Sequence, residues 1–185
     1  MRMSQHGLTA EDIVNSYSTE QLVYILRTFG EERFAKKIAL SIVKRRETQL
    51  FTETADLAEH IKKIVPFQRI HPATRTFQAL RIAVNNELDE IQCAIDQGLT
   101  LLKDQGLLIV ITFHSLEHKV VKNALQQYVN TPPAISRYAA PKVHEFTKPF
   151  MINYIKKCAK PSDAEVLENV RARSAQMRIC QKQTL

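Results

Sequence analysis

Apolar residues recur at three- and four-residue steps from Phe77 through Leu80, Val84, Leu88, Ile91 and Ile95 to Leu99, which predicts a helix with one buried face. Pro72 suits its start, where a missing amide proton costs nothing. A single rod from about Ala73 to Lys103 is expected, roughly 45 Å long at 1.5 Å per residue, with Gly98 as the place of any interruption. Arg81, Asn85, Asn86 and Glu87 project largely off the apolar stripe. Upstream, Thr9-Ala10-Glu11-Asp12 and Ser18-Thr19-Glu20-Gln21 have capping-box spacing and predict two short helices. Leu22, Ile25, Leu26 and Phe29 form the stripe of the second, and Gly30 breaks the chain before a third. That third helix turns Phe34, Ile38, Ile42 and Val43 inward and carries Arg33, Lys36, Lys37, Lys44, Arg45 and Arg46 around its other sides. A fourth, Thr54 to Ile64, is closed by Pro66.

The pattern changes after the turn Lys103-Asp104-Gln105-Gly106. Leu107 to Phe113 is apolar without alternation, which predicts a strand covered on both faces. Helix, short turn and buried strand are the order of an α/β sheet, in which ligands sit beyond the carboxyl ends of strands. His114, Ser115 and Glu117 fall at that rim, and Ser115 and Glu117 also suit a helix start. A helix from about Val120 to Val129 follows, then the loop Asn130-Thr131-Pro132-Pro133 and a stretch rich in basic and aromatic residues. Ser162-Asp163-Ala164-Glu165 caps another short helix. Ala175, Met177 and Ile179 alternate with Gln176, Arg178 and Cys180, so a closing strand is expected.

With 185 residues, 44% of them hydrophobic, the chain can bury one core and a small second lobe. No run reaches the roughly 18 to 20 apolar residues of a membrane span, and the first residues lack an apolar signal region, so a cytoplasmic protein is expected. Cys93, Cys158 and Cys180 form no CxxC pair, which predicts neither disulfides nor a metal site but three buried or half-buried thiols. A net charge of +7 suits a polyanionic partner.

Four stretches, Gly30 to Ala39, His71 to Leu88, Phe113 to Glu117 and Asn169 to Arg178, resemble motifs of the MraW/RsmH family in family order. The resemblance covers almost the whole chain. It implies an S-adenosylmethionine-dependent methyltransferase acting on the exocyclic amine (N4) of a cytosine in small-subunit ribosomal RNA. The implied fold is α/β, a helical RNA-recognition lobe over 1–70 plus the C-terminal half of a Rossmann-like methyltransferase sheet over 71–185. Met1-Arg2-Met3 resembles an interior family segment, so the part that holds the methyl donor is expected upstream. His118 and Lys119 stand where the family usually shows Asp and Arg, and family prolines are absent before Gly106 and at Val170.

Methyl transfer to the cytosine amine requires a donor cradled by a glycine-rich turn, a splayed-out base and an acceptor for the amine proton. Gly7, Gly30, Gly98 and Gly106 form no GxG, so no donor-binding residue is assigned and the S-adenosylmethionine motif is absent from these residues. Asn130-Thr131-Pro132-Pro133-Ala134 departs from the amine-orienting motif of such enzymes by an extra residue and a terminal alanine, and reads as a proline turn. His114, with Ser115 and Glu117, is the catalytic candidate, since a strand-end histidine accepts protons near neutral pH. The alternative is a ring that only bonds the following turn. Lys36, Lys37, Arg75, Arg81, Asn85, Asn86, Arg171 and Arg173 are the RNA-binding candidates, with Arg178 a further one for the RNA backbone, because guanidinium groups grip phosphate and amides read base edges. The competing role for Arg81 and Asn85 is to tie the helix to neighbouring loops. The partners implied are small-subunit rRNA or the ribosomal subunit, with no membrane and no metal, and a partner supplying the missing donor-binding half. A noncatalytic RNA-binding module and a poorly folding remnant are the competing classes.

Overall fold

A computed structural model describes residues 1, 3, 7–66, 71–129 and 148–184. The elements are mixed α/β, and the chain divides into two compact units, Met1–Glu87 and Leu88–Leu185.

The first unit is helical: α1 (Ala10–Ser16), α2 (Thr19–Thr28), α3 (Ala35–Arg46), α4 (Thr54–Ile64) and α5 (Thr74–Asn85). Both capping boxes form as their spacing requires. Thr9 accepts from the Asp12 amide at the start of α1, and Ser18 from the Gln21 amide at the start of α2. Ile13, Leu22, Leu26, Ile38, Ile42, Ile61 and Leu80 close the core. Gly30 permits the crossing of two backbones, because a Cβ there would stand 2.7 Å from the carbonyl oxygens of both Arg75 and Leu26. That approach seats α5 on α2 within the compact unit Met1–Glu87.

His60 sits against this core, its Nε2 2.8 Å from Ser41 Oγ and its ring edge-on to Phe51. Burial holds its pKa below the ordinary imidazole value, and the Arg45 charge acts in the same direction, while Ser41 and Asp56 oppose them. The unfolded chain therefore takes up this proton more readily than the folded one. Its stabilising contribution is complete above about pH 6.5 and declines as pH falls toward the folded value. Wild-type protein should lose thermal stability between about pH 7 and pH 5 faster than His60→Gln, measured by circular dichroism. Parallel pH profiles would exclude His60 as the source.

The predicted rod is two helices. α5 ends at Asn86, whose left-handed conformation (φ 50°, ψ 37°) closes it, and α6 (Glu87–Leu101) follows, with Gly98 inside it. Asparagine tolerates this conformation because its short amide bonds locally. The apolar stripe consequently serves two cores: Leu80, Phe77 and Val84 join the first, and Ile91, Ile95 and Leu99 the second.

The second unit holds α6, β1 (Leu107–Thr112), α7 (Ser115–Gln126), β2 (Phe150–Ala159), α8 (Asp163–Glu168), a 3-10 turn over Val170–Ser174, and β3 (Gln176–Thr184). The strands form an antiparallel sheet in the order β1-β3-β2, with Val110 opposite Arg178 and Tyr154 opposite Cys180. Leu108, Val110, Ile152, Tyr154 and Cys180 face the core built with Ile95, Leu99, Val121 and Leu125. The other face differs from the expected doubly covered strand. Leu107, Ile109, Ile111 and Phe113 are 49%, 54%, 55% and 51% exposed, so β1 alternates in burial although its sequence does not. The thiols also depart from expectation: Cys93 and Cys158 are exposed and only Cys180 is buried, its pKa pushed up to about 11 by desolvation.

Candidate functional site

The carboxyl end of β1 brings His114, Ser115 and Glu117 together at the start of α7. His114 is the N-cap, and its Nδ1 accepts from the Glu117 amide at 3.4 Å. Glu117 reaches back so that Oε2 accepts from the Phe113 amide at 2.6 Å, while Oε1 lies 3.0 Å from His114 Nε2. This exchange repeats the logic of a capping box with imidazole in place of a hydroxyl. Burial acts to raise the Glu117 carboxyl, but the His114 ring and the Phe113 amide outweigh it and hold the group below the usual carboxylate range. With Nδ1 accepting, the neutral ring carries its proton on Nε2, beside the carboxylate. Ser115 is the first helical residue and is exposed.

His118 lies one turn further along α7. Thr112 Oγ1 donates to the Gln176 carbonyl at 3.2 Å, so it is an acceptor for the His118 Nδ1 proton, and this short contact ties α7 to the ends of β1 and β3. Burial first, and then the Arg178 and His114 charges, keep His118 below its ordinary pKa against the pull of Glu117.

The nucleic-acid candidates fall into three environments. On α3, Lys36 is exposed, and Lys37 is exposed with Nζ 3.0 Å from the Ile64 carbonyl. Of their basic neighbours, Arg45 pairs with Asp56 at 2.6 Å and lies over the Phe51 ring, and Arg46 donates to the Val14 carbonyl. On α5, Arg75 donates to the Glu31 carbonyl at 3.2 Å. Arg81 makes a two-pronged pair with Glu87 at 2.8 and 3.0 Å, and Asn85 donates to the Arg81 and Met1 carbonyls while accepting from the Met3 amide. Asn86 is the exposed helix cap. Arg171 and Arg173 are exposed on the 3-10 turn. The side chains of Arg81 and Asn85 thus hold Met1, Met3 and the start of α6. Asn130 to Ala134 lie outside the described residues.

The glycines do not fit a donor cradle. Gly106 is the tight turn before β1, where a Cβ would stand 2.9 Å from the Lys103 carbonyl; Gly98 is helical; Gly30 is filled by backbone; and Gly7 precedes α1. None follows the carboxyl end of a strand, so these residues do not fit an S-adenosylmethionine pocket.

The sequence profile of the MraW methylase family matches residues 1–183, and the chain belongs to that family. Proteins named ribosomal RNA small subunit methyltransferase H are similar to it throughout. That of Leptospira borgpetersenii serovar Hardjo-bovis is 42% identical over 98% of this chain and 54% of its own length. The Caulobacter vibrioides protein is 42% identical over 96% of the chain and 58% of its own length. The protein of Chelativorans sp. is 43% identical over 98% and 53%. The chain therefore spans about half the length of the curated relatives it matches.

No helix among the described residues is long and apolar enough to cross a membrane.

Proposed function

We propose that this chain is the RNA-recognition and acceptor-side half of an S-adenosylmethionine-dependent rRNA (cytosine-N4) methyltransferase. The observation that carries the reading is the family match over residues 1–183 at about half the length of full relatives. The helical unit, through Lys36, Lys37 and Arg75, contacts the phosphates of small-subunit rRNA, with Arg171 and Arg173 adding cationic contacts from the second unit. Arg81, Asn85 and Asn86 serve by fixing the end of α5.

Within this reading His114, Ser115 and Glu117 form the rim of the acceptor pocket. The His114 ring is oriented by Glu117, and proton transfer through it requires the cap to loosen. The methyl donor is held by the remainder of the methyltransferase fold, on the same polypeptide or on another. The open apolar face of β1 supports that division, since a strand so rich in Leu and Ile is ordinarily covered on both sides. The same observation favours a second reading, a truncated RNA-binding module without catalysis of its own.

The test is a pair of titrations on the purified chain. A small-subunit rRNA fragment should bind with strong salt dependence, and S-adenosylmethionine should give no micromolar isotherm. Micromolar donor binding would overturn the division of labour, and salt-independent or absent RNA binding would overturn the recognition role. Methyl transfer on adding the remaining half of the fold supports the enzyme reading over the module.

A further inference from the structure

A concave surface of the Leu88–Leu185 unit includes Arg178 but neither Arg171 nor Arg173. It lies between α7 and the outer strand β2 and is lined by Lys122, Gln126, Tyr154, Lys157 and Arg178. His118, Lys122 and Gln126 are four residues apart and form one stripe of α7. Opposite them, β2 is bulged between Tyr154 and Lys156, and the Lys157 ammonium lies 5.9 Å from the Tyr154 ring.

Arg178 of β3 lies at the floor. It donates through Nη1 to the Lys157 carbonyl, while its buried Nε has no hydrogen-bond partner among the described residues. Its charge is felt by both His118 and Tyr154. No described carboxylate pairs with Arg178, Lys122 or Lys157. A half-buried guanidinium flanked by two ammonium groups is stabilised by an anion from outside, and its flat fork matches the two oxygens of a phosphate. His118, one turn before Lys122 on the same face of α7, adds no negative charge there.

We propose that this groove is a phosphodiester subsite for single-stranded RNA, with Arg178, Lys122 and Lys157 on backbone phosphates and Tyr154 beside a base. It rests on the RNA-binding reading above and adds a second point of contact on the unit that carries the His114 rim. Single strands fit it because an aromatic side chain in a positively charged groove serves unpaired bases.

The experiment measures binding of a fluorescein-labelled oligouridylate to the full chain by anisotropy at several salt concentrations. Lys122→Gln with Lys157→Gln, both at exposed positions, should weaken binding about tenfold at low salt. The salt slope should fall by about 1.4, which is about 0.7 for each of two phosphates no longer neutralised. His118→Asp should also weaken binding severalfold by giving Arg178 an internal partner, with unchanged circular dichroism showing that the fold survives. Lys36→Gln with Lys37→Gln reports on the helical unit independently. If the double groove variant binds as wild type while the α3 variant loses affinity, the groove is overturned and the recognition reading stands. If wild type does not bind RNA, both fall.

Discussion

Lys182→Ala should destabilise the second unit by about 3 kcal/mol, because it removes charge-assisted bonds to carbonyls that have no other donor among the described residues. Lys182 is a buried lysine on β3, 7% exposed. Its Nζ donates to the carbonyls of Thr100 at 3.2 Å and Leu102 at 2.7 Å, and it lies 4.3 Å above the Phe150 ring. Both carbonyls stand at the end of α6, where the last turn leaves oxygens unpaired and the helix dipole is negative. The ammonium thus caps a helix, and its stem fills the space beside Phe150. Alanine strands two acceptors and opens a void. Lys182→Met keeps the stem and should recover part of the loss. Urea unfolding gives the size, and hydrogen exchange should confine it to residues 88–185. A change below about 0.5 kcal/mol for the alanine variant would show that water replaces the ammonium without cost.

Elements set by local chemistry are legible in the sequence. Both N-terminal capping boxes, the Ser162 cap, the Thr54–Ile64 helix and the closing strand depend on contacts within a few residues, and the spacing specifies them directly. The long helix is harder, because its apolar stripe continues without a fault across Asn86. The break comes from one backbone conformation that asparagine tolerates and periodicity does not record. β2 is hidden although Phe150, Ile152 and Tyr154 alternate, since the basic run after Tyr154 masks the pattern and the strand is bulged there. Exposure of Cys93 and Cys158 follows from their places on an outward helix face and a strand end. At the site, the position of His114 at the end of β1 and a bond from its ring to the following turn are both among the sequence readings, but its place as the N-cap is not, because histidine is not among the usual N-cap residues. The groove around Arg178 draws on α7, β2 and β3, and in the sequence only Arg178 itself and the four-residue spacing of His118, Lys122 and Gln126 hint at it.

On the proposed function, placing lysines at Ile109 and Ile111 should leave the stability of this chain within about 0.5 kcal/mol of wild type while abolishing its ability to complete a methyltransferase. Both side chains are more than half exposed on the sheet face away from the α6–α7 core, so their replacement removes little burial from the folded chain. The same substitution at Val110, which packs against that core, should unfold the unit, since an unpaired charge would be buried there. β1 is also an edge strand, paired with β3 alone among the described residues, and its free backbone groups template a further strand. An apolar face joined to an open edge suits association with a further strand or sheet, as the proposed function requires. The measurement mixes the chain with a separate polypeptide carrying the unmatched part of a full-length relative, and follows transfer of labelled methyl groups to small-subunit rRNA. Wild type should restore transfer and the double lysine variant should fall to background, with both chains equally folded by circular dichroism. Equal transfer by the two would place the joining surface elsewhere. Loss of fold in the variant would mean instead that residues 88–185 already bury this face on their own.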